Sequence, residues 1–379
     1  MKAKILLLSV ILVIVFSSCE KSENEISIIN GQDELLIPST ATLVEEKSTS
    51  VSDVQEIAEA EDFARLLAMS INDKDVRKFL KNEANKKFDG DYDILVSNIL
   101  ESKISGLSFK DQVAKSSPSG KFKGHDVISN ALKNEKLNIS IPLHIDSWKE
   151  LKQQLLVAVS VGTVEGKTEY VKAFDSMGNM YVISTKEEPN VPVIVVGNNE
   201  RMDYEESSSV VAPTEFKSAF AAVTRTQGYF EKITYIKCTD LDAIEDWTRG
   251  APEIYFDAIA YRGTGAYNAS GNKRAKPSSR DQARTGWNPN IQLFQWFFET
   301  SMGDVYYINA IEKDDNGVTI KIPITITGKY EAMTFSAGLE LTYKEGDDKL
   351  PSQAISTESN NPTTIYDDRI KYTVMSLAN

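Results

Sequence analysis

Val318-Thr-Ile-Lys-Ile-Pro-Ile-Thr-Ile-Thr327 alternates apolar and polar residues without a break. Val318, Ile320, Ile322, Ile324 and Ile326 fall on one side of an extended chain, and Thr319, Lys321, Pro323, Thr325 and Thr327 on the other. A helix would scatter that pattern around its axis, so the spacing predicts a strand lying on a core. Asp314-Asp315-Asn316-Gly317, immediately before it, has the composition of a hairpin turn. Gln292-Leu-Phe-Gln-Trp-Phe-Phe298, Val305-Tyr-Tyr-Ile308 and Tyr372-Thr-Val374 are further strand candidates. Residues 252–379 are therefore expected to form an antiparallel β-sandwich of about seven or eight strands.

Toward the N-terminus the pattern stays extended as far as Leu137. Leu137, Ile139 and Ile141 alternate with polar residues, Leu155–Val161 reads as another strand, and Tyr170–Phe174 and Met180–Ser184 flank the turn Ser176-Met177-Gly178-Asn179. Val191-Pro-Val-Ile-Val-Val196 is apolar throughout, as a strand buried on both faces would be, with Pro192 at its opening. These place a β-rich segment at 135–202, followed by a linker and connecting segment at 203–251 that includes the alternating stretch Ile233–Cys238. Residues 52–134 carry helical spacing instead. Ser52 and Gln55 form a capping-box pattern. Asn72 is in position to cap a second helix carrying Val76, Phe79, Leu80, Ala84 and Phe88. Asp89-Gly90-Asp91 breaks it, Tyr92–Glu101 resumes, and shorter helices follow at Phe109–Lys115 and His125–Leu132. The fold class is α+β: an N-terminal helical bundle, a middle β-rich segment and a C-terminal antiparallel β-sandwich.

The first residues carry an address. Lys2 and Lys4 precede an apolar run, Ile5–Phe16, and Ser17-Ser18-Cys19 follows. This resembles the signal and lipobox of bacterial lipoproteins, although Phe16 stands where an aliphatic residue is usual. The resemblance implies removal of residues 1–18, lipidation of Cys19, and a flexible tether at 19–51. Glu20, Glu23 and Glu25 are similar to the export signal of Bacteroidota lipoproteins, which implies an envelope location at the outer membrane. Two further blocks, Lys172-Ala-Phe-Asp175 through Arg201 and Leu241-Asp-Ala-Ile-Glu-Asp-Trp247 through Glu253, look similar to uncharacterised secreted proteins of Bacteroidota and some marine bacteria. That resemblance implies a location and a layout, without a mechanism.

Composition narrows the chemistry. The net charge is −13, and loss of Lys2 and Lys4 with the leader makes it more negative. Nucleic acid is thereby disfavoured as a partner, because its binding rests on neutralising phosphates with Lys and Arg. With Cys19 lipidated, Cys238 has no disulfide partner and is expected as a packed strand thiol. His125 and His144 are the two histidines, neither near a Gly-x-Ser-x-Gly elbow nor in a zinc spacing. No P-loop is present. Gly263-Thr-Gly265 lacks the third glycine of a dinucleotide turn, and Asp89-Gly-Asp91-Tyr-Asp93 has Ile94 where a calcium loop needs glycine.

Two constellations remain. Asp304, Glu312, Asp314 and Asp315, with Asp347-Asp348 and Asp367-Asp368, fall in turns of the expected sandwich and offer the carboxylates that calcium takes. Glu312–Gly317 is similar to loops of calcium-dependent C2-type domains; Asp and Asn are also ordinary turn residues. Residues 261–287 hold Arg262, Lys273, Arg274, Lys276, Arg280 and Arg284 against Asp281. They read as a long basic loop for an anionic glycan or lipid, or one paired with the protein's own acids. Tyr261, Tyr267 and Trp287 beside it are candidates for stacking on sugars or for the core. The expectation is a non-enzymatic binding or structural module that reaches the membrane through its N-terminal lipid and requires no cofactor other than, at most, calcium. The alternative is a secreted hydrolase of peptides or glycans working through carboxylates or a bound metal.

Overall fold

The computed structural model describes residues 51–118, 123–148, 155–164, 167–199, 225–262, 265–297, 302–314, 319–330, 333–344 and 346–378. Cys19, the leader and the tether up to residue 50 lie outside these residues, as do Asp315 and the Ser- and Glu-rich part of the connecting segment; Val51, the last residue of the expected tether, already belongs to a helix. No helix among the described residues is long and apolar enough to cross a membrane.

The fold is mixed, with helices leading and sheets following. α1 (Val51–Ser70) buries Phe63, Ala64, Leu66 and Leu67. Its start differs from the capping-box reading: Ser52 already lies inside the helix, and Gln55 bonds Glu59 one turn on at 2.9 Å. α2 (Lys74–Ala84) is capped by Asp73, which accepts the Asp75 N–H at 2.8 Å. Asn72, the expected cap, instead donates to the Ser176 carbonyl at 2.8 Å. Phe88, expected on that helix, lies beyond its end and is 50% exposed. The stretch Tyr92–Glu101, expected as helix, is divided between β1 (Asp93–Leu95) and α3 (Val96–Ile99). A partner strand and the Asn138 side chain, which accepts the Ile94 N–H at 3.1 Å, supply bonds that an isolated helix reading ignores.

β2 (Lys103–Ile104) and β3 (Leu107–Ser108) form a small hairpin before α4 (Phe109–Ala114) and α5 (Gly124–Ala131). A Cβ on Gly124 would sit 2.4 Å from the Ala114 carbonyl oxygen, so glycine is what lets these two helices meet. β4 (Leu137–Ser140), β5 (Leu156–Val159), β6 (Tyr170–Phe174), β7 (Met180–Ser184) and β8 (Val193–Asn198) complete one sheet with β1, in the order β1-β4-β8-β5-β6-β7. All neighbours are antiparallel except β5 and β8. Phe63, Leu67, Val76 and Phe109 of the helices merge with Ile139, Val157, Phe174 and Ile194 of the sheet into a single core. The opposite sheet face, with Ala158, Val171, Val193 and Val195, is covered by Trp247. The apolar run in β8 is therefore buried on both sides, as its sequence predicts.

The remaining elements are β9 (Phe230–Cys238), β10 (Ile254–Arg262), β11 (Gly265–Asn268), β12 (Lys273–Ala275), α6 (Arg280–Thr285), β13 (Ile291–Gln295) and β14 (Val305–Glu312). They continue with β15 (Thr319–Tyr330), β16 (Met333–Lys344), β17 (Asp348–Lys349), β18 (Gln353–Ser356), β19 (Thr363–Tyr366) and β20 (Ile370–Leu377). One sheet runs β11-β10-β14-β17, with β12 also on β10 and β18 also on β14; another runs β13-β9-β20-β19. Their facing residues share a core that includes Ile236, Phe256, Trp296, Ile308 and Tyr372. Phe256 meets Tyr372 edge-to-face at 5.0 Å. β9, in the connecting segment of the sequence reading, is thus a central strand.

Val318 lies outside the described residues; from Thr319 on, the alternating stretch that opened the reading is β15, paired with β16 alone. Ile326, Leu341 and Tyr343 pack with Ile259 and Ile311 on the second face of the β10–β14 sheet, while the threonines face outward. Ile320, near the strand's start, is 42% exposed.

Where the two facing sheets meet the connecting segment, Arg225 and Glu231 form a fully buried ion pair at 3.0 Å. Glu231 also accepts from Tyr306 Oη at 2.9 Å and Trp296 Nε1 at 2.7 Å. Arg225 Nη1 donates to the Ser359 and Asn360 carbonyls at 2.9 and 2.8 Å, and Nη2 to Thr363 Oγ1 at 3.0 Å. A buried pair of this kind is tolerable only because its remaining donors and acceptors are met.

Candidate functional site

The densest concentration of charge lies where the helix-backed sheet meets the two facing sheets, around the strap 241–253 and the segment 273–284. The strap is held from both sides. Trp247 enters the face of the first sheet and donates its indole N–H to the Ser184 carbonyl at 2.9 Å. Lys186 approaches Asp246 at 3.4 Å.

The six basic residues singled out in the sequence do not lie on a long loop; Arg262 ends β10, Lys273 and Arg274 are on β12, and Arg280 and Arg284 are on α6. Arg280 is 2% exposed and bonds Glu188 at 2.6 Å, Asp242 at 2.7 Å, and the carbonyls of Glu245 and Gly250 at 3.0 and 2.7 Å. Arg284 pairs with the same two acids. Arg274 pairs with Glu253. Lys276 lies 3.4 Å from Asp91 and 3.5 Å from Glu253, and donates to the Asp89 carbonyl at 3.3 Å. Arg262 stacks over Tyr267 at 4.9 Å, and Lys273 lies half-buried on β12. The structure therefore joins four of the six cations to carboxylates of this chain, two of which, Glu188 and Asp91, lie on the helix-backed half.

Those pairs set the local electrostatics. Burial raises the Glu188 carboxyl, but the bonds and charges of Arg284 and Arg280 outweigh it and hold the group below its ordinary value. Burial pushes the Cys238 thiol up to about 12, with Arg280 and Arg284 pulling only partly against it. That thiol is not a nucleophile at neutral pH.

Of the acidic residues proposed for calcium, Asp315 lies outside the described residues, and Asp304 stands apart from Glu312 and Asp314. Asp304 precedes β14 and Glu312 ends it, so about eight residues of strand, roughly 26 Å, separate them. Asp314 is buried and lies 3.4 Å from Arg249. Asp347 accepts the Asp314 and Lys344 N–H groups at 3.1 and 2.7 Å, and Asp348 pairs with Arg369 at 3.2 Å. Among the described residues no group of three or more His, Cys, Asp or Glu has the geometry to hold a metal ion. His125 is exposed, 3.7 Å from Asp111, and His144 contacts the Pro189 carbonyl at 3.1 Å. Trp287 packs in the core beside the Ile236 bridge, with Tyr267 partly buried against the same core; Tyr261 lies partly buried against the opposite sheet face.

A second basic constellation was not singled out in the sequence. On the outer face of the β13-β9-β20-β19 sheet, Lys237 of β9 stands directly across from Lys371 of β20, and Lys371 from Tyr366 of β19. Lys232 lies farther along β9. The only signal for it is the alternation of β9 and β20, whose register brings distant residues side by side.

No curated protein and no solved structure matches the chain significantly. The family model described as "Protein of unknown function (DUF3103)" matches residues 64–260, from the middle of α1 to the end of β10, and this covers the strap with its Trp247. Since that match spans just over half of the sequence, the chain belongs to this family of proteins of unknown function.

Proposed function

We propose that the chain is a lipid-anchored protein of the bacterial cell envelope, tethered through Cys19 at the outer membrane, and that its body is a non-enzymatic binding or structural module. The observation that carries the anchor is Lys2 and Lys4, the run Ile5–Phe16 and Ser17-Ser18-Cys19. The body is read as a helix-backed sheet followed by a β-sandwich, its two sheets meeting through the aromatic core around Phe256, Trp296 and Tyr372. The non-enzymatic reading draws support from the way charge is used. Arg280, Arg284 and Arg274 are engaged in pairs within the chain, the Cys238 thiol is held neutral, and both histidines sit in ordinary surface contacts.

The test is metabolic labelling of the producing cells with an alkynyl palmitate. Incorporation into the wild type and its loss in Cys19→Ser, with the variant released into the soluble fraction, is the expected result. Equal labelling of both, or none in either, refutes the anchor.

A further inference from the structure

Deepening that reading, we propose that the outer face of the β13-β9-β20-β19 sheet is a binding surface for an extended acidic polysaccharide. Three features of the face support it.

The first is charge that no carboxylate among the described residues neutralises. Lys237 and Lys371 are direct cross-strand partners, an arrangement that destabilises a sheet unless an anion bridges the pair. Among the described residues Lys232, Lys237 and Lys371 form no ion pair, although acids outnumber bases in the chain, 55 to 42. Phe230, Lys232, Tyr235 and Lys237 of β9, each half-buried, lie on the face away from the core residues Glu231, Ile233, Ile236 and Cys238, with Lys371 and Thr373 of β20 and Thr364 and Tyr366 of β19 beside them in register; Met375, across from Lys232, is buried. No carboxylate is among them. Glu231, the one acid on these strands, points inward and is fully buried. The nearby acids Asp240, Asp367 and Asp368 belong to the turns beyond the strand ends, and Asp367 is occupied by Arg369 and by two backbone N–H groups.

The second is aromatic surface interleaved with the cations. Lys371 Nζ lies 5.9 Å from the Tyr235 ring and Lys232 Nζ 5.9 Å from that of Phe230. Tyr366 is 73% exposed beside Lys371. An exposed tyrosine face next to an ammonium group suits a sugar ring carrying a carboxylate: the ring stacks and the charge pairs.

The third is shape. A sheet residue rises about 3.3 Å, so Lys232 stands roughly 16 Å from Lys237 along β9. The hydroxyls of Thr364 and Thr373, 3.1 Å apart, lie beside the Tyr235 position and offer neutral hydrogen bonding between the cations. A row of that length matches several linked sugars laid along the strand better than one compact anion.

The test uses the full chain in its Cys19→Ser form, so that no acyl chain contributes. Electrophoresis through native gels containing polygalacturonate is compared with gels containing neutral dextran. We expect retardation by polygalacturonate alone, weakened by added salt. It should fall at least tenfold in apparent affinity in Lys237→Gln/Lys371→Gln, and severalfold in Tyr366→Ala. Lys371→Glu gives an independent check, since it relieves the like-charge pair: it should melt no lower than the parent yet lose retardation. Equal mobility of the parent in both gels, or retardation unchanged in the double variant, overturns the proposal. So does lysine-dependent binding to phosphatidylcholine vesicles containing one-fifth phosphatidylglycerol without binding to polygalacturonate, which would assign the face to lipid phosphate. Because lipidation plays no part in this assay, its failure leaves the anchor untouched, and failure of palmitate labelling leaves the face untouched.

Discussion

Replacing Glu231 by Gln preserves its volume and removes its charge in a site with no solvent. The carboxylate receives the Arg225 guanidinium at 3.0 Å, Tyr306 Oη at 2.9 Å and Trp296 Nε1 at 2.7 Å. An amide has one acceptor oxygen, so its NH₂ group must face one of these donors while the guanidinium is left without a counter-charge. Removing one member of a buried pair costs about 3–5 kcal/mol, against a total stability on the order of 5–15 kcal/mol. Urea unfolding followed by tryptophan emission is a suitable assay, because Trp296 packs edge-to-face on Phe294 at 5.0 Å and on Tyr306 at 5.5 Å. A double-mutant cycle with Arg225→Met isolates the pair, and the two losses should be far from additive, since each single change already forfeits the interaction. A cost for Glu231→Gln below about 1 kcal/mol, or additivity within about 0.5 kcal/mol, would refute the reasoning.

Gly124→Ala should lower the urea midpoint by the equivalent of about 1–3 kcal/mol, the usual range for overpacking, because the new methyl meets the Ala114 backbone of α4; an unchanged midpoint would show that α5 can retreat freely. Iodoacetamide at pH 8 should leave the peptide containing Cys238 unmodified in the native protein and alkylate it fully in urea, as a buried thiol pushed up to about 12 requires. For Glu188 the sign follows from a depressed carboxyl: its stabilisation is present above the unfolded value, ordinarily 4.5, and is lost as pH falls through the folded one. Glu188→Gln should therefore melt below the wild type at pH 7, with the gap closing below about pH 4; a gap constant down to pH 3 would contradict the pairing with Arg280 and Arg284.

Local chemistry made some elements legible in the sequence. The β6–β7 hairpin follows from two alternating runs around Ser176–Asn179, and its register pairs Phe174 with Met180. Asp175 closes it by accepting the Met177 and Asn179 N–H groups, both at 2.9 Å, and Gly178 supplies the positive φ of +82°. β8 was legible because an unbroken apolar run has no solvent face. Partners distant in sequence decided what was not. Asp93–Leu95 is a strand because β4 lies beside it, and its own residues carry helical spacing. The basic stretch at 273–284 looked uncompensated because Glu188, Asp242, Asp91 and Glu253 answer it from other elements, and one acid among 55 does not announce its mate. The Lys237–Lys371 juxtaposition exists only through the pairing of β9 with β20, which no spacing within either strand reveals.

The indole of Trp247 gives the first half of the molecule a debt to the second. Ala158, Val171, Val193 and Val195 form a greasy wall that this ring shields from water, yet the ring arrives from beyond residue 199. A fragment cut at that point would keep its helices and strands but bare the wall, and it should associate with itself rather than stay dispersed. The family match likewise runs on to residue 260, past the last strand of the helix-backed sheet and over Trp247.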